Sequence, residues 1–167
     1  ICGQGEASLP RLLASLPAKP EPGNGLDKET PGLVWREDGR IRVAAPDQRG
    51  YAGLQPDWRK VDCRKYRRSM FQAAVVVRSG CSYECSYCDV PKVFGAHFVP
   101  RDTESILDEI RVLRDERGVR MIFLNDACFN APVAAAKDLL SAMMRAQLGV
   151  HFASTFNPVP GHYDDEF

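Results

Sequence analysis

The 167-residue chain has no surplus charge of either sign, with 22 Lys and Arg against 22 Asp and Glu. Without a basic excess it is not built for sequence-independent attachment to nucleic acid or to an acidic membrane surface. It has no apolar run near the ~20 residues that a bilayer-spanning helix needs. It also lacks the charged-then-apolar opening that directs secretion. There is no internal repeat and no second cysteine pair at the spacing of a zinc ribbon. These absences lead to the expectation of a soluble, cytoplasmic chain with no membrane partner. Disorder is excluded by what is there: 44% apolar residues supply a core and 26% charged residues an ordinary surface.

Neither end reads as a natural terminus. The chain opens on Ile1-Cys2-Gly3 without a methionine and closes on Asp164-Asp165-Glu166-Phe167, an acidic opening turn for a helix that does not follow. The expectation is an internal piece of a longer protein.

Three of the six cysteines crowd into Cys81-Ser-Tyr-Glu-Cys85-Ser-Tyr-Cys88. Disulfide frameworks spread their cysteines through small secreted domains, so this crowding reads as a metal site. Thiolates suit zinc or iron–sulfur. Gly80 and the small Ser82 and Ser86 suit a loop that must wrap tightly around its ligand.

Upstream, Leu9, Leu12, Leu13 and Leu16 are spaced for a helix, with Pro10 in its first turn. A linker rich in proline and glycine runs from 17 to 31. Two β-prone runs around Asp38-Gly39 predict a hairpin over residues 32–44. From residue 71 the texture becomes strand–loop–helix. Ala73–Val77 and Met121–Leu124 read as strands covered on both faces. Asp102 and Gly118 bracket a helix over 103–117, and Pro132 opens a second with Val133, Ala136, Leu140 and Met143 as its stripe. Val150–Thr155 is a third strand. The βαβαβ order implies α/β architecture with a parallel sheet, which places the cysteine loop at the sheet's C-terminal edge.

Cys81-x3-Cys85-x2-Cys88, with Tyr87 before the last cysteine and Arg78-Ser79-Gly80 before the first, resembles the radical S-adenosylmethionine signature. Phe123–Asn130 resembles the second barrel strand of that superfamily, although Leu124-Asn125-Asp126 stands where the family has two glycines and a glutamate. Gly3-Gln4-Gly5-Glu6 ahead of the leucine-rich helix resembles the last turn of a cobalamin-binding domain.

The resemblance implies three segments. Residues 1–18 close a cobalamin-binding-like domain, 19–70 form a hairpin-containing linker, and 71–167 begin a (β/α) barrel with about three of its βα units. It further implies that Cys81, Cys85 and Cys88 hold a 4Fe–4S cluster whose open iron chelates S-adenosylmethionine. The reduced cluster then cleaves S-adenosylmethionine to a 5′-deoxyadenosyl radical, with an electron from a flavodoxin- or ferredoxin-type donor. Tyr87 would line the adenine, and Asn125 or Asp126 would lie by the methionine ammonium. The implied reaction is cobalamin-dependent methylation or rearrangement of a small metabolite, and the piece alone would be inactive. Alternatives are a methylthiotransferase-like modifier of RNA or protein and a structural zinc module, with Cys63, His97 or Cys128 as fourth ligand.

Other residues carry simpler readings. Cys2, Cys63 and Cys128 read as small buried hydrophobes, and Asp126 also suits a turn cap. The basic run from Arg59 to Arg68 reads as a solvated face rather than a nucleic-acid contact. Trp35 and Trp58 read as packing, and His151 and Ser154 as weak substrate-pocket candidates.

Overall fold

Pro10 falls in the first turn of helix α1 (Ser8–Ser15), where its missing N–H leaves no bond unmade. This computed structural model describes residues 1, 5–6, 8–17, 25–46, 55–66, 72–161 and 163–165. Cys2, Gly3 and Gln4, the middle of the proline-rich linker, and Arg67 and Arg68 lie outside them. The leucine stripe of α1 is only partly covered: Leu12 and Leu16 are half-buried, while Leu9 and Leu13 are exposed. Strands β1 (Val34–Glu37) and β2 (Arg40–Val43) form the expected hairpin. Asp38 and Gly39 at its tip have φ of 49° and 74°. A twisted two-residue turn requires two such left-handed residues.

The barrel-like part begins at β3 (Gln72–Val76). A short strand β4 (Arg78–Ser79), a one-turn helix α2 (Val90–Phe94) and a second short strand β5 (Val99–Pro100) follow. Helix α3 spans Thr103–Arg117, the bounds the capping residues predict. Asp102 Oδ2 accepts from the Ser105 amide at 2.8 Å. Such a cap is worth about 1 kcal/mol. Gly118 ends the helix at φ 69°. Strand β6 (Met121–Asn125), helix α4 (Val133–Arg145) and strand β7 (His151–Ser154) complete the order.

Strands β3, β6 and β7 form one parallel sheet in that order, so each crossover advances in the same direction. Crossovers of one hand without a reversal leave α3 and α4 on one face, the winding of a barrel rather than of a doubly wound sheet. The core agrees. Ala73, Val75, Ile122 and Leu124 pack with Ile106, Ile110 and Leu113 of α3 and Ala136, Leu139 and Met143 of α4. The α4 stripe is therefore Ala136, Leu139, Ala142 and Met143, with Val133 and Leu140 at its margin.

The other face corrects the expectation of double coverage. Ala74, Asn125 and His151 are exposed there and Phe123 is half-buried. That face corresponds to the interior side of a part-barrel.

The segment before the barrel is fastened along α3. Gln55 donates to the Ser105 carbonyl at 2.6 Å, Trp58 Nε1 to Glu109 at 2.7 Å, and Arg59 to both oxygens of Glu116 at 2.8 and 2.5 Å. Glu109 also pairs with Arg101 at 2.8 Å, both side chains sealed from solvent. Trp58 thus packs as expected. Within the basic run, Arg59 serves Glu116 and Lys60 pairs with Asp57 at 3.4 Å.

Candidate functional site

The chain leaves β3 at Val77 and makes an excursion over residues 80–98 before returning to α3. Its two limbs are tied at the base, where Arg78 pairs with Pro100 and Ser79 with Val99 across β4 and β5. Arg101 adds two bonds to the end of β3, from its amide to the Val77 carbonyl at 3.0 Å and from its guanidinium to the Val76 carbonyl at 2.7 Å. Gly80 has φ +79°, and a Cβ built there would run into the His97 carbonyl oxygen of the returning limb. Only glycine allows the limbs to cross this closely.

This excursion carries the three cysteines at the C-terminal edge of the parallel sheet, where α/β folds present their chemistry. Cys81 and Cys88 are half-buried, Cys85 is exposed, and all three thiols are free. The Cys88 amide donates to the Cys85 carbonyl at 3.0 Å, turning the chain between them. Among the described residues no three His, Cys, Asp or Glu side chains gather around a single metal ion. A cubane cluster takes each thiolate on its own iron, so it does not require the three donors to meet at one ion. Tyr87 is 91% exposed, and its phenol is raised above the ordinary value by the charge of the adjacent Cys85 thiolate.

The second wall is the end of β6. Asp126 is ion-paired with Arg78, whose guanidinium also donates to the Cys128 carbonyl at 2.9 Å and to that of Phe129. The other Asp126 oxygen accepts from the Cys128 amide at 3.0 Å, the turn-capping role that the sequence also allowed. Asn125 is exposed beside it. Between the two walls opens a cleft of about 320 Å³, with Val90 and Phe94 on the cysteine-loop side and Asn125, Asp126 and Ala127 on the other. Glu6, from the turn before α1, also lines it. Sequence reading did not anticipate Glu6 here, since no spacing links it to a strand so distant in the chain.

The remaining candidates separate. Cys128 is buried, its thiol directed at Asn130 Oδ1 at 3.4 Å and pushed up by burial. Cys63 is buried beside a polar recess of about 590 Å³ with Arg59, Arg117 and Gly118. That recess lies at the end of α3 that leads into β6, opposite the cysteine loop, so Cys63 is no companion for the triad. The His97 side chain is exposed. His151 faces the barrel interior but pairs with Met121 at the N-terminal end of the sheet. That places it about 10 Å of strand below the cleft. Ser154 is corrected outright. It lies in register with Leu124 on the helix-covered face, and its hydroxyl donates to the Leu124 carbonyl at 2.8 Å.

No family model matches the chain. A tryptophan 2-C-methyltransferase of Streptomyces laurentii is 31% identical over 86 residues, which are 52% of this chain and 14% of that protein. The solved radical S-adenosylmethionine methyltransferase TsrM of Kitasatospora setae, with tryptophan and an S-adenosylmethionine analogue bound, superposes with a TM-score of 0.76. The identity is 26%, covering 100% of this chain and 33% of TsrM. The chain is similar to the radical S-adenosylmethionine methyltransferases. A second TsrM structure, holding cobalamin and a [4Fe–4S] cluster, gives a TM-score of 0.77 at 24% identity and supports the same fold. The α/β part-barrel is thus the radical S-adenosylmethionine fold. The chain spans about a third of the length of these solved neighbours. Among the described residues no helix is long and apolar enough to cross a membrane.

Proposed function

We propose that the chain is part of a radical S-adenosylmethionine methyltransferase that acts on a small molecule. The carrying observation is the pairing of a three-thiol loop with a cleft at the C-terminal edge of the parallel sheet. In this reading Cys81, Cys85 and Cys88 hold three irons of a 4Fe–4S cluster. Tyr87 and Asn125 would flank the bound S-adenosylmethionine, and Asp126 would hold the turn beside it. When bound and reduced, such a cluster supplies the electron that breaks the sulfonium C–S bond.

The chain's own residues set the conditions. Gly80 lets the loop limbs cross, Arg101 pins them to β3, and Val90 and Phe94 give one wall of the cleft an apolar surface. Residues 1–18 then end a cobalamin-binding unit that carries the methyl group, 19–70 link it to the barrel, and 71–167 open the barrel. A flavodoxin- or ferredoxin-type protein is the fitting electron donor. Names and folds of the relatives support this reading.

The test is the iron, acid-labile sulfide and zinc content of the anaerobically reconstituted protein, beside a Cys85→Ala control. About four iron and four sulfide per chain, lost in the control, is the expected result. One zinc without sulfide would overturn the reading.

A further inference from the structure

We propose that Glu6 receives the cationic part of the ligand bound in the barrel-mouth cleft, which on the reading above is S-adenosylmethionine. Among the described residues, three ionisable side chains line the cleft: Glu6, Arg78 and Asp126. Two of them cancel. Arg78 and Asp126 pair with each other, with side chains 5% and 2% exposed, and their remaining bonds run to the Cys128 and Phe129 carbonyls and the Cys128 amide. Asp126, which occupies the position where the family motif has its carboxylate, therefore brings no uncompensated charge to a ligand.

Glu6 stands differently. It reaches the cleft from the segment before α1, its side chain is exposed, and it makes no ion pair among the described residues. The placement is supported from behind. The Leu9 amide donates to the Gly5 carbonyl at 2.8 Å, and Ser8 is 2% exposed, so the start of α1 is seated rather than projecting. A carboxylate ahead of a helix is favoured by the helix dipole. That accounts for an acidic residue at this point in the chain but not for its opening onto the cleft.

The rest of the lining is neutral. Val76, Val90, Phe94 and Ala127 are apolar, and Asn125 offers only its amide. A cleft whose carboxylate at Glu6 has no ion-pair partner among the described residues, beside a self-paired Arg78–Asp126, favours a ligand that carries positive charge. S-adenosylmethionine offers a sulfonium and an amino group. The inference also gives the upstream segment a direct part in binding at the barrel mouth.

The test compares wild-type and Glu6→Gln forms of the full-length, anaerobically reconstituted protein, with S-adenosylmethionine as titrant in calorimetry. The variant is expected to bind about tenfold more weakly, the loss of one charge-assisted contact. Its iron and sulfide content and melting temperature should match the wild type. The gap between the two proteins should shrink as salt is raised from low to molar concentration, since the lost contact is electrostatic. Equal affinity in the two proteins, or a gap indifferent to salt, would overturn the inference and leave the cluster reading standing. Wild-type protein that takes up the cluster but binds no S-adenosylmethionine would overturn both.

Discussion

Arg78 and Asp126 form a sealed ion pair that joins the strand leading into the cysteine loop to the end of the neighbouring strand. Each sits beside a different half of the site, Arg78 three residues before Cys81 and Asp126 next to Asn125. The pair therefore fixes the distance between the two walls of the cleft. A buried pair adds little over an apolar substitute, but breaking one leaves a bare charge. Asp126→Asn should lower the unfolding free energy in urea by about 3–5 kcal/mol. Arg78→Met combined with Asp126→Leu should recover much of the loss. A single variant as stable as the wild type would show that the pair is solvated in solution.

Gly80→Ala tests the crossing of the loop limbs. The left-handed φ costs an alanine about 1 kcal/mol or more, and the added methyl must also displace the His97 carbonyl. We expect reconstituted iron to fall by more than half, while circular dichroism of the α3–β6–α4 core stays close to wild type. Full iron content in the variant would mean that the limbs part easily.

Tyr87→Ala and His151→Ala form a matched pair. Both side chains are exposed. Neither change should therefore move the melting temperature by more than about 1–2 °C. Tyr87 stands between two loop cysteines, and its loss should weaken S-adenosylmethionine binding about tenfold. His151 lies at the far end of the sheet, and its loss should leave that binding unchanged. The reverse pattern would place the cleft at the wrong end of the strands.

The Arg59–Glu116 contact carries a pH signature. Its bidentate bond to Arg59 holds the Glu116 carboxyl below the ordinary 4.5. A carboxyl depressed in the folded state contributes stability above its unfolded value and loses that contribution as pH falls through the folded one. The stability difference between wild type and Glu116→Gln should be constant from about pH 5 upward and vanish in stronger acid. A difference that grows on acidification would contradict the assigned bond.

Local signals made part of this fold legible. Asp102 and Gly118 bound α3 correctly because a cap and a left-handed stop are each written in one residue. Asp38-Gly39 placed the hairpin tip for the same reason. The cysteine spacing located the loop, and the strand before it located the sheet edge. What stayed hidden was non-local. The two-residue strands β4 and β5 are too short to show periodicity, and β5 contains a proline. The Arg78–Asp126 pair links residues from different strands, and Ser154 was misplaced because an alternation of four residues does not say which face is covered. Glu6 enters the cleft only through the tertiary arrangement.

The fastening along α3 also gives the protein an optical gauge. Its two tryptophans sit on separate parts of the segment before the barrel, Trp35 in the hairpin and Trp58 hydrogen-bonded to Glu109. A lifting of that segment from α3 would strip Trp58 of its partner and expose its ring to water, while Trp35 kept its surroundings. Emission colour then reports attachment of the segment without any added dye, and a Trp35→Phe background reads Trp58 alone.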